Sequence, residues 1–142
     1  MPKKRCLLDL ATFLQEWREK FQDSSIILMM DANGDESDAH FRTFIIDTGF
    51  HDVVAHLSPE LKGKSTYING KKRLDYILVS EDLIGVGNKS GHTQFLHPFI
   101  SDHRGVYWDV FSSALLESNN AAPQNINHRG LQLERPNTVD DY

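Results

Sequence analysis

Four oxygen-bearing side chains, Asp31, Asn33, Asp35 and Asp38, follow directly on the apolar run Ile26–Met30. Carboxylates recur in two more apolar settings: Asp75 in the stretch Leu74–Val79, and Asp102 beside His103 in Ile100–Gly105. Oxygens in this number suit a hard divalent cation, and a histidine among them suits proton transfer near neutral pH. The first cluster is not a calcium loop of the EF-hand type. Counted from Asp31, positions 3 and 5 fit as Asn33 and Asp35, but position 6 is Glu36 where Gly is required and position 12 is Arg42 where Glu is required. A carboxylate set within a strand is costly unless it is paired or metal-bound. Each site has a plain alternative: a salt bridge of Asp75 to Arg73 on an edge strand, Asp102 as a turn residue, His103 as a structural imidazole. Taken together, the three sites point to a hydrolytic metal centre whose strands must be neighbours.

The elements that would position them follow from periodicity. Leu7, Leu10, Ala11, Leu14, Trp17, Arg18 and Phe21 recur at spacings of three and four, which predicts an amphipathic helix over residues 6–22. Ile26–Met30 reads as a strand buried on both faces. A second helix follows, with Phe41, Phe44 and Ile45 on one face, Asp38 as its N-cap and Gly49 as its stop. Helix, strand and helix in succession imply a sheet covered by helices on one side. Thr66–Ile68 and Leu74–Val79 flank Asn69-Gly70, which predicts a β-hairpin with Lys71, Lys72 and Arg73 at its turn. Arg104–Phe111 reads as the last strand, so the class is α+β with a mostly antiparallel sheet. Residues 112–142, rich in Asn, Gln, Pro and Ser, read as a disordered tail behind a folded part spanning 1–111.

The chain has 142 residues and a formal net charge of −5, which is not the signature of a protein held to nucleic acid by charge alone. Lys62, Lys64, Lys71, Lys72 and Arg73 nevertheless share one segment with no intervening acid. That segment is compatible with a phosphate-bearing substrate and equally with a solvated hairpin. The single cysteine, Cys6, excludes an intrachain disulfide and a multi-thiolate zinc site. No apolar run reaches membrane-spanning length, and the basic start leads into no secretory core. A reducing intracellular compartment is expected. Lys3, Lys4 and Arg5 read as a solvated terminus, with a nuclear address as the alternative.

Three segments, in order, resemble the motifs of the endonuclease/exonuclease/phosphatase family. This family includes pancreatic-type deoxyribonucleases, abasic-site endonucleases and retroelement endonucleases. Ile26–Asn33 resembles its strand ending in Gly-Asp-Phe-Asn, Ser65–Ser80 its Arg-Ile-Asp-Tyr-Ile block, and Ser101–Val110 its terminal Ser-Asp-His block. The wording around Asp31-Ala32-Asn33 and Ser101–Gly105 looks most like retroelement-associated members. The resemblance implies the C-terminal half of a four-layer α/β/β/α sandwich and metal-dependent phosphodiester hydrolysis, endonuclease-type on DNA. It implies His103 as general base, Asp75 as the residue orienting it, and Asp102 and Asp31 as ligands of Mg²⁺ or Mn²⁺, with Asp31 also aligning water. Asn33 would donate to a phosphate oxygen, and Tyr67, Lys71 and Lys72 are further substrate contacts, although a plain hairpin explains those three as well.

Two departures matter. Met30 and Ala32 stand where the family has Gly and an aromatic residue. The family's N-terminal half, with its Glu ligand, has no counterpart before Cys6, so weak or no activity is expected of this chain alone. Two other readings follow. One is a non-catalytic remnant or binding half whose open sheet face is covered by a missing N-terminal half or a second chain. The other is a phosphatase or lipid phosphodiesterase using the same chemistry.

Overall fold

The computed structural model describes residues 2–98 and 100–113. Along them run α1 (Pro2–Lys20), β1 (Ile27–Asp31), α2 (Ala39–Thr48), β2 (His51–Asp52), α3 (Val53–Leu57), a 3₁₀ turn (Pro59–Leu61), β3 (Asp75–Val79), a second 3₁₀ turn (Glu81–Val86), β4 (Gly87–His92) and β5 (Val106–Val110). The strands form two antiparallel sheets, ordered β1-β3-β2 and β4-β5, in the α+β layout expected from the sequence. Of the segment read as a tail, Ser112 and Ser113 are helical, and residues 114–142 lie outside the described residues.

Local chemistry sets the ends of α2. The Asp38 carboxylate accepts from the backbone N–H groups of His40 and Phe41, and Gly49 takes a left-handed φ of 63° that returns its N–H to the carbonyls of Ile45 and Ile46. Phe41 and Phe44 are thereby turned inward. Helix α1 starts at Pro2, earlier than the predicted residue 6, with proline in the first turn where its missing N–H costs nothing. Lys3 is not a solvated terminal residue. Its Nζ donates to the Asp38 carboxylate and to the Asn33 carbonyl, each at 2.8 Å, and ties α1 to the loop after β1.

The core lies on both sides of β3. On one side Leu7 and Leu14 of α1 and Phe41 and Phe44 of α2 pack on Tyr76 and Leu78, with Leu28 and Met30 of β1 against them. On the other, Ile77 and Val79 meet Val53, Val54 and Leu83, with Val106 and Trp108 of β5 packed alongside. Strand β1 departs from its expected burial on both faces. Ile27 is 45% exposed and Met29 73% exposed, because β1 is an edge strand and the second layer stops over β3. Full burial of such a side chain contributes about 1.5–3 kcal/mol, and the outward face of β1 forgoes most of that.

The predicted hairpin at Asn69-Gly70 is also corrected. The turn forms, with Gly70 N–H donating to the Tyr67 carbonyl at 3.1 Å, but Thr66–Ile68 makes no ladder with β3. The Thr66 hydroxyl instead accepts from the N–H groups of Leu74 and Asp75, at 2.8 and 3.1 Å. A side chain thus stands where the partner strand's carbonyl would be. The freed backbone of this arm bridges residues 102–104: Ile68 N donates to the Asp102 carbonyl and Arg104 N to the Thr66 carbonyl, at 2.8 and 2.9 Å.

Candidate metal and proton-transfer site

Asp31 and Asp75 are partners in the β1–β3 register. Residues directly opposite in a sheet project to one face, so the two carboxylates stand side by side at the end of the ladder. His103 reaches them from the loop before β5. Its Nδ1 lies 2.8 Å from Asp75 Oδ2, and one ligand atom from each of Asp31, Asp75 and His103 falls within 4.8 Å of the others. The imidazole is held from behind as well. Its backbone bridges that of Tyr67, whose ring lies 5.2 Å from it, and its N–H donates to Ser101 Oγ at 3.1 Å.

Thr66, fully buried, is the residue that sequence reasoning missed. Its hydroxyl fixes the Asp75 backbone and its main-chain carbonyl accepts from the Arg104 N–H, so one residue, through side chain and backbone, ties the Asp75 segment to the His103 segment. A threonine before a tyrosine carries no chemical signature, and only its burial marks it.

The hydrogen bond that His103 donates to Asp75, opposed by partial desolvation and aided by the charges of Asp75, Asp31 and Asp102, raises the His103 pKa above its ordinary value. With Nδ1 hydrogen-bonded to a carboxylate, that nitrogen carries the proton and Nε2 is left as the acceptor in the neutral ring. Asp31 Oδ1 accepts from the Asn33 N–H at 2.8 Å, which helps hold Asn33 at a left-handed φ of 47°.

The other predicted site residues fall as follows. Asn33 is exposed on the loop after β1. Asp102 is exposed and outside the three-residue group, although its charge is felt at His103. Tyr67 backs His103. Lys72 pairs with Asp35 at 3.2 Å, and Lys71 is exposed on the same turn. The basic segment is largely neutralised from within the chain, since Lys62 pairs with Glu36 at 2.9 Å and Arg73 with Asp52. Asp75 is on the central strand and pairs with His103, so its alternative as the edge-strand partner of Arg73 does not hold.

The donor set admits a small hard cation. Mg²⁺ is commonly held by one or two carboxylates while retaining water. Asp31 is exposed, with one oxygen engaged by a backbone N–H, and Asp75 stands beside it. No family model matches the chain, and no curated protein or solved structure matches it.

Proposed function

We propose that the chain carries part of a metal-dependent phosphodiesterase site, acting on nucleic acid as an endonuclease does. The observation that carries this reading is the 2.8 Å contact of His103 Nδ1 with Asp75, made beside the Asp31 carboxylate. His103 Nε2 takes the proton of a water whose oxygen forms the new bond to phosphorus. The ester P–O bond breaks, and the departing alkoxide takes a proton from solvent. Asp75 holds the ring in the tautomer that leaves Nε2 basic and stabilises the imidazolium that forms. Asn33, exposed on the loop after β1, donates to a non-bridging oxygen. Asp31, beside Asp75, would hold Mg²⁺ or Mn²⁺, which when bound neutralises charge on the phosphate; Asp102 lies outside that group, near enough for its charge to act on His103.

We also read the fold as the C-terminal half of a four-layer α/β/β/α sandwich of the endonuclease/exonuclease/phosphatase type. The half-open second face of the sheet, with Ile27 and Met29 exposed, supports that reading. The same exposure favours the second reading, a binding half that works only when further chain covers β1.

Plasmid nicking in Mg²⁺, with EDTA and His103→Ala as controls, tests the proposal. This chain alone is expected to nick weakly or not at all. A version extended at its N-terminus by a complementary half is expected to nick in a metal-dependent way, and His103→Ala lowers that rate by at least ~100-fold. Absence of metal-dependent hydrolysis of any phosphate ester by the extended protein would leave the binding-half reading in its place.

A further inference from the structure

An open cleft of about 320 Å³ adjoins Asp31 and Asp75, walled by Met29, Ile77 and Val106. Arg104 is the one cation among its lining residues. Val106 packs toward Ile77 in the core, and side chains two apart in extended chain face the same way, so Arg104 continues the inward row of the β4-β5 ribbon. Its position is fixed at two points. The backbone N–H donates to the Thr66 carbonyl at 2.9 Å, and the guanidinium lies 4.8 Å from the centre of the Phe95 ring.

What Arg104 lacks is an acid. Among the described residues it forms no ion pair, although two carboxylates line the same cleft, and its buried Nε has no hydrogen-bond partner. The contrast is with Arg73, whose charge is met by Asp52. The same row holds His92, opposite Val106 in the ribbon, and neither of its ring nitrogens has a partner. Burial first, and then the nearby Arg104 charge, push the His92 pKa down to about 4, so its ring is neutral at physiological pH and offers one N–H. Buried polar atoms are rarely left unpaired, and this row holds four, Trp108 Nε1 being the fourth; of the three residues Arg104 alone lines the cleft, where a group from outside the described chain can reach it. A stacked, preorganised guanidinium matches paired oxygens on a tetrahedral anion better than any other side chain.

We propose that Arg104 is a phosphate clamp that engages the non-bridging oxygens of a nucleic-acid backbone phosphodiester and seats it against His103. The clamp rests on the hydrolytic reading above for its substrate. It deepens that reading by giving an acidic chain a dedicated contact to an anionic polymer, where Lys72 of the basic turn is engaged by Asp35 and Lys62 by Glu36.

The test is binding of a short fluorescein-labelled DNA duplex in Mg²⁺, read by anisotropy over a salt series. The full chain carries His103→Ala so that hydrolysis does not interfere. Adding Arg104→Ala is expected to weaken binding about tenfold and to lower the slope of log K against log salt by about 1. Arg104→Lys is expected to restore the slope and only part of the affinity, because the charge returns without the planar fork. Arg104→Gln keeps a stacking side chain without charge and serves in place of Ala if that variant loses its helical circular dichroism. Affinity and slope unchanged in both uncharged variants, with binding intact in the parent, would overturn the clamp and leave the hydrolytic reading standing. No binding of the duplex by the parent would overturn both.

Discussion

Arg73 and Asp75 stand two residues apart at the entrance to β3, and each has an oppositely charged partner. Arg73, 1% exposed, pairs with Asp52, donates to the Lys62 carbonyl at 3.3 Å and lies 4.1 Å from the centre of the Tyr76 ring. Asp75 pairs with His103 through side chains 22% and 30% exposed, beside an open cleft. Chain encloses the first pair. It supports the second from behind, through Thr66 and Tyr67, and leaves the front clear. A buried pair that loses one member strands a charge where water cannot reach it. A half-exposed pair strands nothing, and its imidazole can exchange a proton. Enclosure therefore separates a pair that holds the fold from one equipped for chemistry.

The comparison can be broken at its strongest point first. Asp52→Ala is expected to cost about 3–5 kcal/mol in denaturant unfolding, the range for an orphaned buried charge. Asp52 also caps α3 by accepting from the Val54 N–H at 3.0 Å, and that cap is lost with it. A cost near zero would mean that Arg73 reaches solvent.

Asp75→Asn is expected to cost much less, and in a way that depends on pH. The folded pKa of His103 is raised above the ordinary value of 6.5. The stabilisation it brings is therefore present in full below that value and fades as pH rises through the folded pKa. The stability difference between wild type and Asp75→Asn should shrink over that window. Nicking by the extended protein should fall on the order of 100-fold or more, as for a misoriented base. A variant as destabilised as Asp52→Ala, with hydrolysis unchanged, would reverse the assignment of the two pairs. The smallest effect is expected at the exposed Lys72–Asp35 pair, where Lys72→Ala should change stability by less than about 1 kcal/mol.

Much of this was legible in the sequence where the signal is local. The cap and stop of α2 are side-chain and glycine effects within a turn of the helix ends, and Asp38 and Gly49 state them directly. Asp31, Asp75 and the pair Asp102-His103 stand out because charged groups in apolar strand sequence need a reason, and of these Asp102 falls outside the group that forms. Partners distant in sequence were not legible. The sequence offers Arg73 its near neighbour Asp75 as an alternative partner, and its actual partner, Asp52, lies 21 residues away. Asn69-Gly70 gave the turn, but a hairpin also needs its arms to pair, and the Thr66 hydroxyl displaced that ladder. The composition of β1 promised burial on two faces. A layer that ends over β3 decides otherwise, and the extent of a layer is not written in the strand it leaves uncovered. Arg104 is not legible because a cation without an acid among the described residues is recognised by what fails to surround it.

The central claim is that Asp75 holds His103 as a proton acceptor, and imidazole NMR tests it most directly. The His103 signals are assigned by their loss in His103→Gln and followed against pH in wild type and Asp75→Asn. The expected result is a wild-type His103 that titrates above 6.5, with its proton on Nδ1 in the neutral form, and a pKa that drops in Asp75→Asn. A wild-type value at or below 6.5, or one that Asp75→Asn leaves unmoved, would contradict the account.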